Sequence, residues 1–210
     1  MNQLQNLEEI PYPPAPWNFT GQMWMGMFRS ATPKELPGEL KHLLDPHVFV
    51  VSLIRYLNGT LRYDELAFGS FVRLGVLPGL YVDHMWVDNQ ASLWGGRRIW
   101  GLPKNLANFV WDGSTVRVAD EQGLIAHISV DLRPARLPLV WTFLPAFGRL
   151  EQSWAYFFEI IGARLGNAGM QVLEWPARFP PLQSNKPSVS FAVKPFEIEV
   201  RPPKILRAKN

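Results

Sequence analysis

The sequence predicts a mostly-β protein, β with minor α, arranged as a sandwich or barrel. Three observations carry this. Apolar runs of strand length recur along the whole chain, separated by turn residues. Asn58-Gly59 stands between two of them, which is a strong hairpin signal. Helix signals are few, and each is cut short by proline or glycine.

The elements are read in chain order. Residues 1–20 are assigned to an extended N-terminal arm and 21–210 to one domain. The arm is expected because Pro11-Tyr12-Pro13-Pro14-Ala15-Pro16 suits neither a helix interior nor a central strand. Gly21 to Arg29 is a strand with Met23, Met25, Met27 and Arg29 on one face and Trp24, Gly26 and Phe28 on the other. Both faces are apolar up to Arg29, so the strand is expected to be buried on both sides. Thr32-Pro33-Lys34-Glu35 reads as a helix start that Pro37-Gly38 soon ends. His47–Tyr56 and Leu61–Val72 form the hairpin, and Leu80–Val87 is a third strand. Asp88-Asn89 caps a short helix over Gln90–Arg97, broken at Gly101-Leu102-Pro103-Lys104. Further strands are Ala107–Trp111, Thr115–Ala119, Leu124–Asp131, Leu137–Leu144, Trp154–Arg164, Met170–Trp175 and Val189–Val200. Pro138 and Pro195 mark edges or bends in two of these. Gly162, Gly166 and Gly169 read as bends or bulges, and the Trp154 run also fits a helical stripe.

Composition excludes several classes. Of 210 residues, 47% are hydrophobic and 19% charged, which rules out a disordered chain. Nine Trp and 13 Phe supply bulk for a large core or an apolar cavity. The absence of cysteine removes disulfides, thiolate zinc sites and thiol catalysis. The net charge of +3, with no basic run beyond Arg97-Arg98 and the tail, gives no reason to expect a nucleic-acid partner. The N-terminus has no signal-peptide pattern, and no window is long and apolar enough to span a membrane. A cytoplasmic protein without a membrane partner is the expectation. His42, His47, His84 and His127 fall in no metal-binding spacing, so no metal is expected. No phosphate loop, dinucleotide turn or serine-nucleophile elbow occurs, and no cofactor is expected.

One lysine stands out. Lys104 lies among Trp, Leu and Pro, and between Leu61 and Asn105 no other lysine occurs. By itself this describes either an amine reaching out from an edge or one desolvated for a purpose.

Around it the sequence resembles the acetoacetate decarboxylase family. Gly96-Arg97-Arg98 followed by Pro103-Lys104-Asn105 matches the family's Gly-Arg-Glu and Pro-Lys-Lys segments, whose first lysine forms a Schiff base. Tyr63-Asp64-Glu65 matches a Tyr-x-Glu segment, and Phe28-Arg29-Ser30 an aromatic-Arg-Ser/Thr segment. Their order and spacing cover roughly residues 15 to 205. The resemblance implies an antiparallel β-barrel or cone with a few short helices and a lysine in an apolar cavity. It further implies Lys104 as nucleophile, Glu65 as proton carrier or positioner, Arg29 as a catalytic group that holds the substrate carboxylate or orients Glu65, a small keto-acid substrate and a homo-oligomer. Two positions depart from the pattern: Asn105 replaces the second lysine and Arg98 the glutamate. Both are expected at the substrate pocket.

The chemistry asks for these residue types. An amine attacks a carbonyl only when neutral, and burial or a neighbouring cation lowers its pKa. The imine formed is an electron sink for a departing carboxylate or a breaking C–C bond. The expected function is thus a Schiff-base-forming lyase on a small keto acid, with decarboxylation as the default. An imine-dependent aldolase or dehydratase and a non-catalytic small-molecule-binding barrel are the alternatives.

Overall fold

The computed structural model describes residues 10–207. In chain order it contains β1 (Trp17–Arg29), β2 (Leu40–His42), β3 (Val48–Gly59), β4 (Tyr63–Leu74) and β5 (Leu77–Val87). Helix α1 (Gln90–Trp100) and β6 (Lys104–Leu106) follow, then β7 (Asn108–Asp112), β8 (Thr115–Asp120) and β9 (Gly123–Ser129). The remainder is β10 (Leu137–Leu150), β11 (Ser153–Gly166), β12 (Gln171–Glu174), β13 (Val189–Val200) and β14 (Lys204–Arg207).

Seven strands close into a barrel in the order β4-β3-β1-β13-β11-β10-β5, and the β4–β5 pairing completes the ring. Six junctions are antiparallel, and β10–β5 is a short parallel seam at Ala146↔Leu80 and Phe147↔Tyr81. Strand β6 runs parallel to β5 from Met85↔Lys104 to Val87↔Leu106. A second, antiparallel sheet of order β12-β9-β8-β7 covers one outer flank.

Alternation explains the two cores. Met23, Met25, Val50 and Ile54 point into the barrel, where they meet Trp17, Trp100 and Phe157. Trp24, Phe28, Val51 and Leu53, of opposite parity, pack against Val116, Val118, Ile125 and Ile128 of the second sheet. A strand covered on both faces must be apolar on both, which is why β1 carries no polar side chain between Met23 and Phe28.

The hairpin is formed as expected by β3 and β4, although Asn58-Gly59 ends β3 instead of making a two-residue turn. Gly59 has φ 123° and sits where the Asn18 carbonyl of β1 crosses too closely for a side chain. The helix expected from Thr32 is absent, and residues 33–37 are irregular. Too few residues lie before Pro37-Gly38 to repay nucleation, and Lys34 instead bonds to Pro46 and Asp83. The Trp154 run is strand β11, not a helix, and β10 extends to Leu150, six residues beyond the expected end at Leu144. Strands β2, β6 and β14 are additional, and at three or four residues they are too short to show a period. Pro195 lies in a bulge of β13, where the register slips against both β1 and β11.

Strand β1 begins at Trp17, within the stretch read as arm. Residues 10–16 precede it without regular structure, held in part by Trp17 Nε1 donating to the Pro13 carbonyl at 2.9 Å. Residues 1–9 of the expected arm lie outside the described residues.

Candidate functional site

The site is set by the turn that follows α1. Asn89 caps the helix, its Oδ1 accepting from the Ser92 backbone N–H at 2.9 Å. Gly101 ends it in the left-handed region at φ 66°, and Arg149 N–H of β10 donates to its carbonyl at 2.8 Å. The chain then returns as β6 beside the helix, and Arg97 Nε holds it there by donating to the Lys104 carbonyl at 2.6 Å.

Lys104 consequently points into the barrel and is 2% exposed. Its stem lies on Gly96, where a Cβ would stand 2.5 and 2.6 Å from the lysine Cδ and Cε. Nζ donates to Glu65 Oε2 at 2.9 Å and to Ser92 Oγ at 2.9 Å, with Tyr63 OH at 3.4 Å. The Tyr63 ring centroid is 4.9 Å from Nζ. Glu65 is 4% exposed and also accepts from Tyr56 OH at 3.5 Å. Burial first, and the Glu65 charge second, push both tyrosines well above the usual phenol range, so both remain donors.

These groups open on a cavity of about 60 Å³ with largely apolar walls. Glu159 of β11 lines it from across the barrel. Desolvation raises its carboxyl to about 7, Glu65 adds to the rise, and Lys104 opposes it. Lys104 is the one cation among the lining residues. Among the described residues no group of three or more His, Asp or Glu is arranged to hold a metal ion, and no helix is long and apolar enough to cross a membrane.

The structure brings Lys104 and Glu65 together and leaves out the other sequence-predicted site residues. Arg29 shares the parity of Met25 but stands at the end of β1, exposed, and pairs with Asp45 at 2.7 Å. Arg98 is exposed on α1, with its guanidinium over Trp94. Asn105 is exposed because neighbours in a strand point to opposite faces, and it accepts from Arg97 at 3.1 Å. Sequence reasoning missed Tyr56, Ser92 and Glu159. Only Glu159 carried a signal: it is the lone charge in the apolar run Trp154–Ile161.

Position 105 is therefore expected to be electrically remote from the cavity. In Asn105→Lys, borohydride trapping at Lys104 should keep its pH profile and its rate to within about twofold, because a solvated charge is screened. The thermal midpoint should fall slightly as the new ammonium faces Arg97. A profile displaced by a pH unit would show that the two side chains share one environment.

The acetoacetate decarboxylase family model matches residues 9–139. Acetoacetate decarboxylase 3 of Mesorhizobium japonicum is 30% identical over an alignment of 109 residues, with coverage of 46% of this chain and 40% of that protein. The acetoacetate decarboxylase of Acidiphilium cryptum is 32% identical over an alignment of 102 residues, with coverage of 46% of this chain and 41% of that one. The chain thus spans about 40% of the length of these curated relatives. Among solved structures, acetoacetate decarboxylase from Legionella pneumophila superposes with a TM-score of 0.73 at 20% identity, covering 95% of this chain and 90% of that one. The enduracididine biosynthesis enzyme MppR, complexed with pyruvate, gives 0.62 at 13% identity, covering 97% and 94%. At these identities the two structures show the shared fold.

Proposed function

The chain belongs to the acetoacetate decarboxylase family, and from that premise we propose that it is a Schiff-base-forming lyase acting on a small keto acid through Lys104. The observation that supports this most is an amine enclosed at 2% exposure with a carboxylate 2.9 Å away, facing a cavity. Glu65 is placed to take a proton from Nζ, freeing the lone pair for attack on the ketone. The same carboxyl can return that proton to the departing carbinolamine oxygen as water leaves. The protonated imine then draws the electron pair from the C–COO⁻ bond of a 3-keto acid, and CO2 departs. Ser92 and Tyr63, both within reach of Nζ, keep the amine aimed at the cavity.

Cavity size bounds the substrate. At about 10–15 Å³ per water-sized sphere, some 60 Å³ holds roughly four to six. A keto acid of three or four carbons fits that space.

A second reading, an imine-dependent aldolase or dehydratase, uses the same nucleophile and differs in the bond broken. The likeness of the fold to MppR, one structure of which holds the condensation product of pyruvate and imidazole 4-carboxaldehyde, supports it. Borohydride reduction with a keto-acid panel, followed by peptide mass mapping, tests the imine. A reduced adduct is expected on Lys104, and CO2 release from acetoacetate separates the decarboxylase from the aldolase. No adduct on Lys104 with any keto acid would overturn both and leave a binding barrel.

A further inference from the structure

The cavity holds one cation and two carboxyls. Glu65 is committed to Lys104 and Tyr56. Glu159 faces the same space and, among the described residues, takes no hydrogen bond from these groups: Nζ donates to Tyr63, Glu65 and Ser92. Its register neighbours on β10 and β13, Leu144 and Val200, are apolar. The titratable groups facing it are Glu65 and Tyr63 from β4, Tyr56 from β3 and Lys104 from β6.

Adding a keto acid to this cavity brings in a further negative charge. An arginine would ordinarily receive it, yet Arg29 and Arg98 are exposed and Arg97 is bonded to β6. Two ionised carboxyls and a substrate carboxylate around a single ammonium would repel one another in a low dielectric. An uncharged carboxylic acid removes one of these charges and supplies an O–H donor.

We propose that Glu159 is the acid of this site: its protonated carboxyl donates a hydrogen bond to the substrate carboxylate and, once CO2 has left, passes its proton to the enamine carbon. The step balances. The C–COO⁻ bond breaks and its electron pair forms the enamine. The enamine carbon then takes the Glu159 proton, a C–H bond replaces the O–H bond, and the iminium returns. Hydrolysis releases the ketone, and Glu159 recovers a proton from solvent. The burial that raises its carboxyl to about 7 keeps a large fraction protonated at neutral pH.

The inference rests on the imine reading, so the experiment separates the two. Pyruvate and acetone are compared as borohydride-trapping probes of Lys104 in the full chain between pH 5.5 and 8.5. Their ratio cancels the ionisation of the lysine itself. In wild type the pyruvate-to-acetone ratio should fall about fivefold from pH 7 to pH 8 as Glu159 ionises. In Glu159→Gln, whose amide donates at every pH but carries no acidic proton, the ratio should be flat. Acetone trapping should persist, and CO2 release from acetoacetate should drop about 10²-fold. A flat wild-type ratio, or undiminished CO2 release in the variant, overturns the role of Glu159 while leaving the imine standing. Absence of trapping by both probes in wild type overturns the imine, and with it this role. Should the variant not fold, the wild-type ratio decides alone.

Discussion

Lys104→Met is expected to abolish imine trapping and to destabilise the fold, and adding Glu65→Leu should restore the stability without the activity. The reason is the burial of the pair: the Lys104 and Glu65 side chains are 3% and 5% exposed. Removing one partner leaves the other uncompensated, at a cost of about 3–5 kcal/mol. Replacing both with apolar groups removes two desolvation penalties, so the double variant should match or exceed wild type, by up to about 4 kcal/mol. Loss of the nucleophile should cut turnover by about 10⁴-fold or more, because no other described lysine lines the cavity. Urea melts of the wild type, both single variants and the double variant measure the first effect, and CO2 release measures the second. A double variant as unstable as Lys104→Met would show that the pair stabilises the barrel. Undiminished trapping in Lys104→Met would remove Lys104 from the chemistry.

The second large effect is expected at Gly96. In an exposed helix alanine is favoured over glycine by about 1 kcal/mol. Here its Cβ would enter the lysine stem, 2.5 and 2.6 Å from Cδ and Cε. The stem cannot swing away without giving up its contacts to Glu65 and Ser92. Overpacking of this kind costs about 1–3 kcal/mol, so the helix gain is more than offset. Displacing Nζ by about an ångström should slow trapping by about 10²-fold. The loss should appear in the rate of imine formation and not in the binding of a keto acid to the unreacted enzyme. Gly96→Ala with wild-type stability and trapping would mean that the lysine stem does not depend on contact with α1. The Gly-Arg segment that carries the family likeness would then have its physical basis in Arg97, which holds β6 in place.

The elements legible from sequence are those written in adjacent residues. Asn89 as a cap and Gly101 as a stop depend on local chemistry and formed where expected, with the helix running on past Arg97 to Trp100; β3 and β4 paired as expected, although their turn falls beyond Asn58-Gly59. The alternation in β1 likewise announced two buried faces before either neighbour was known. Lys104 and Glu65 were found through local motifs, and both lie in the barrel. Arg29 shows the limit of such reading. Parity tells which face a residue takes and not how far along the barrel it lies, so a residue two places beyond Met27 falls outside the cavity.

Asn105 and Arg98 failed for a related reason: being next to a motif residue in sequence places a side chain on the other face of a strand or around a helix. Glu159, Tyr56 and Ser92 join the site from β11, β3 and α1, and no local pattern links those segments. They meet because β4 pairs with β5 and β10 with β5, which closes the sheet and turns one face inward. The sequence by itself determined the longer strands, the capped helix and the motif that carries Lys104, since each follows from residues close along the chain. Closure decided which carboxyls that lysine faces, because pairing between distant strands sets both the register and the depth of every inward side chain.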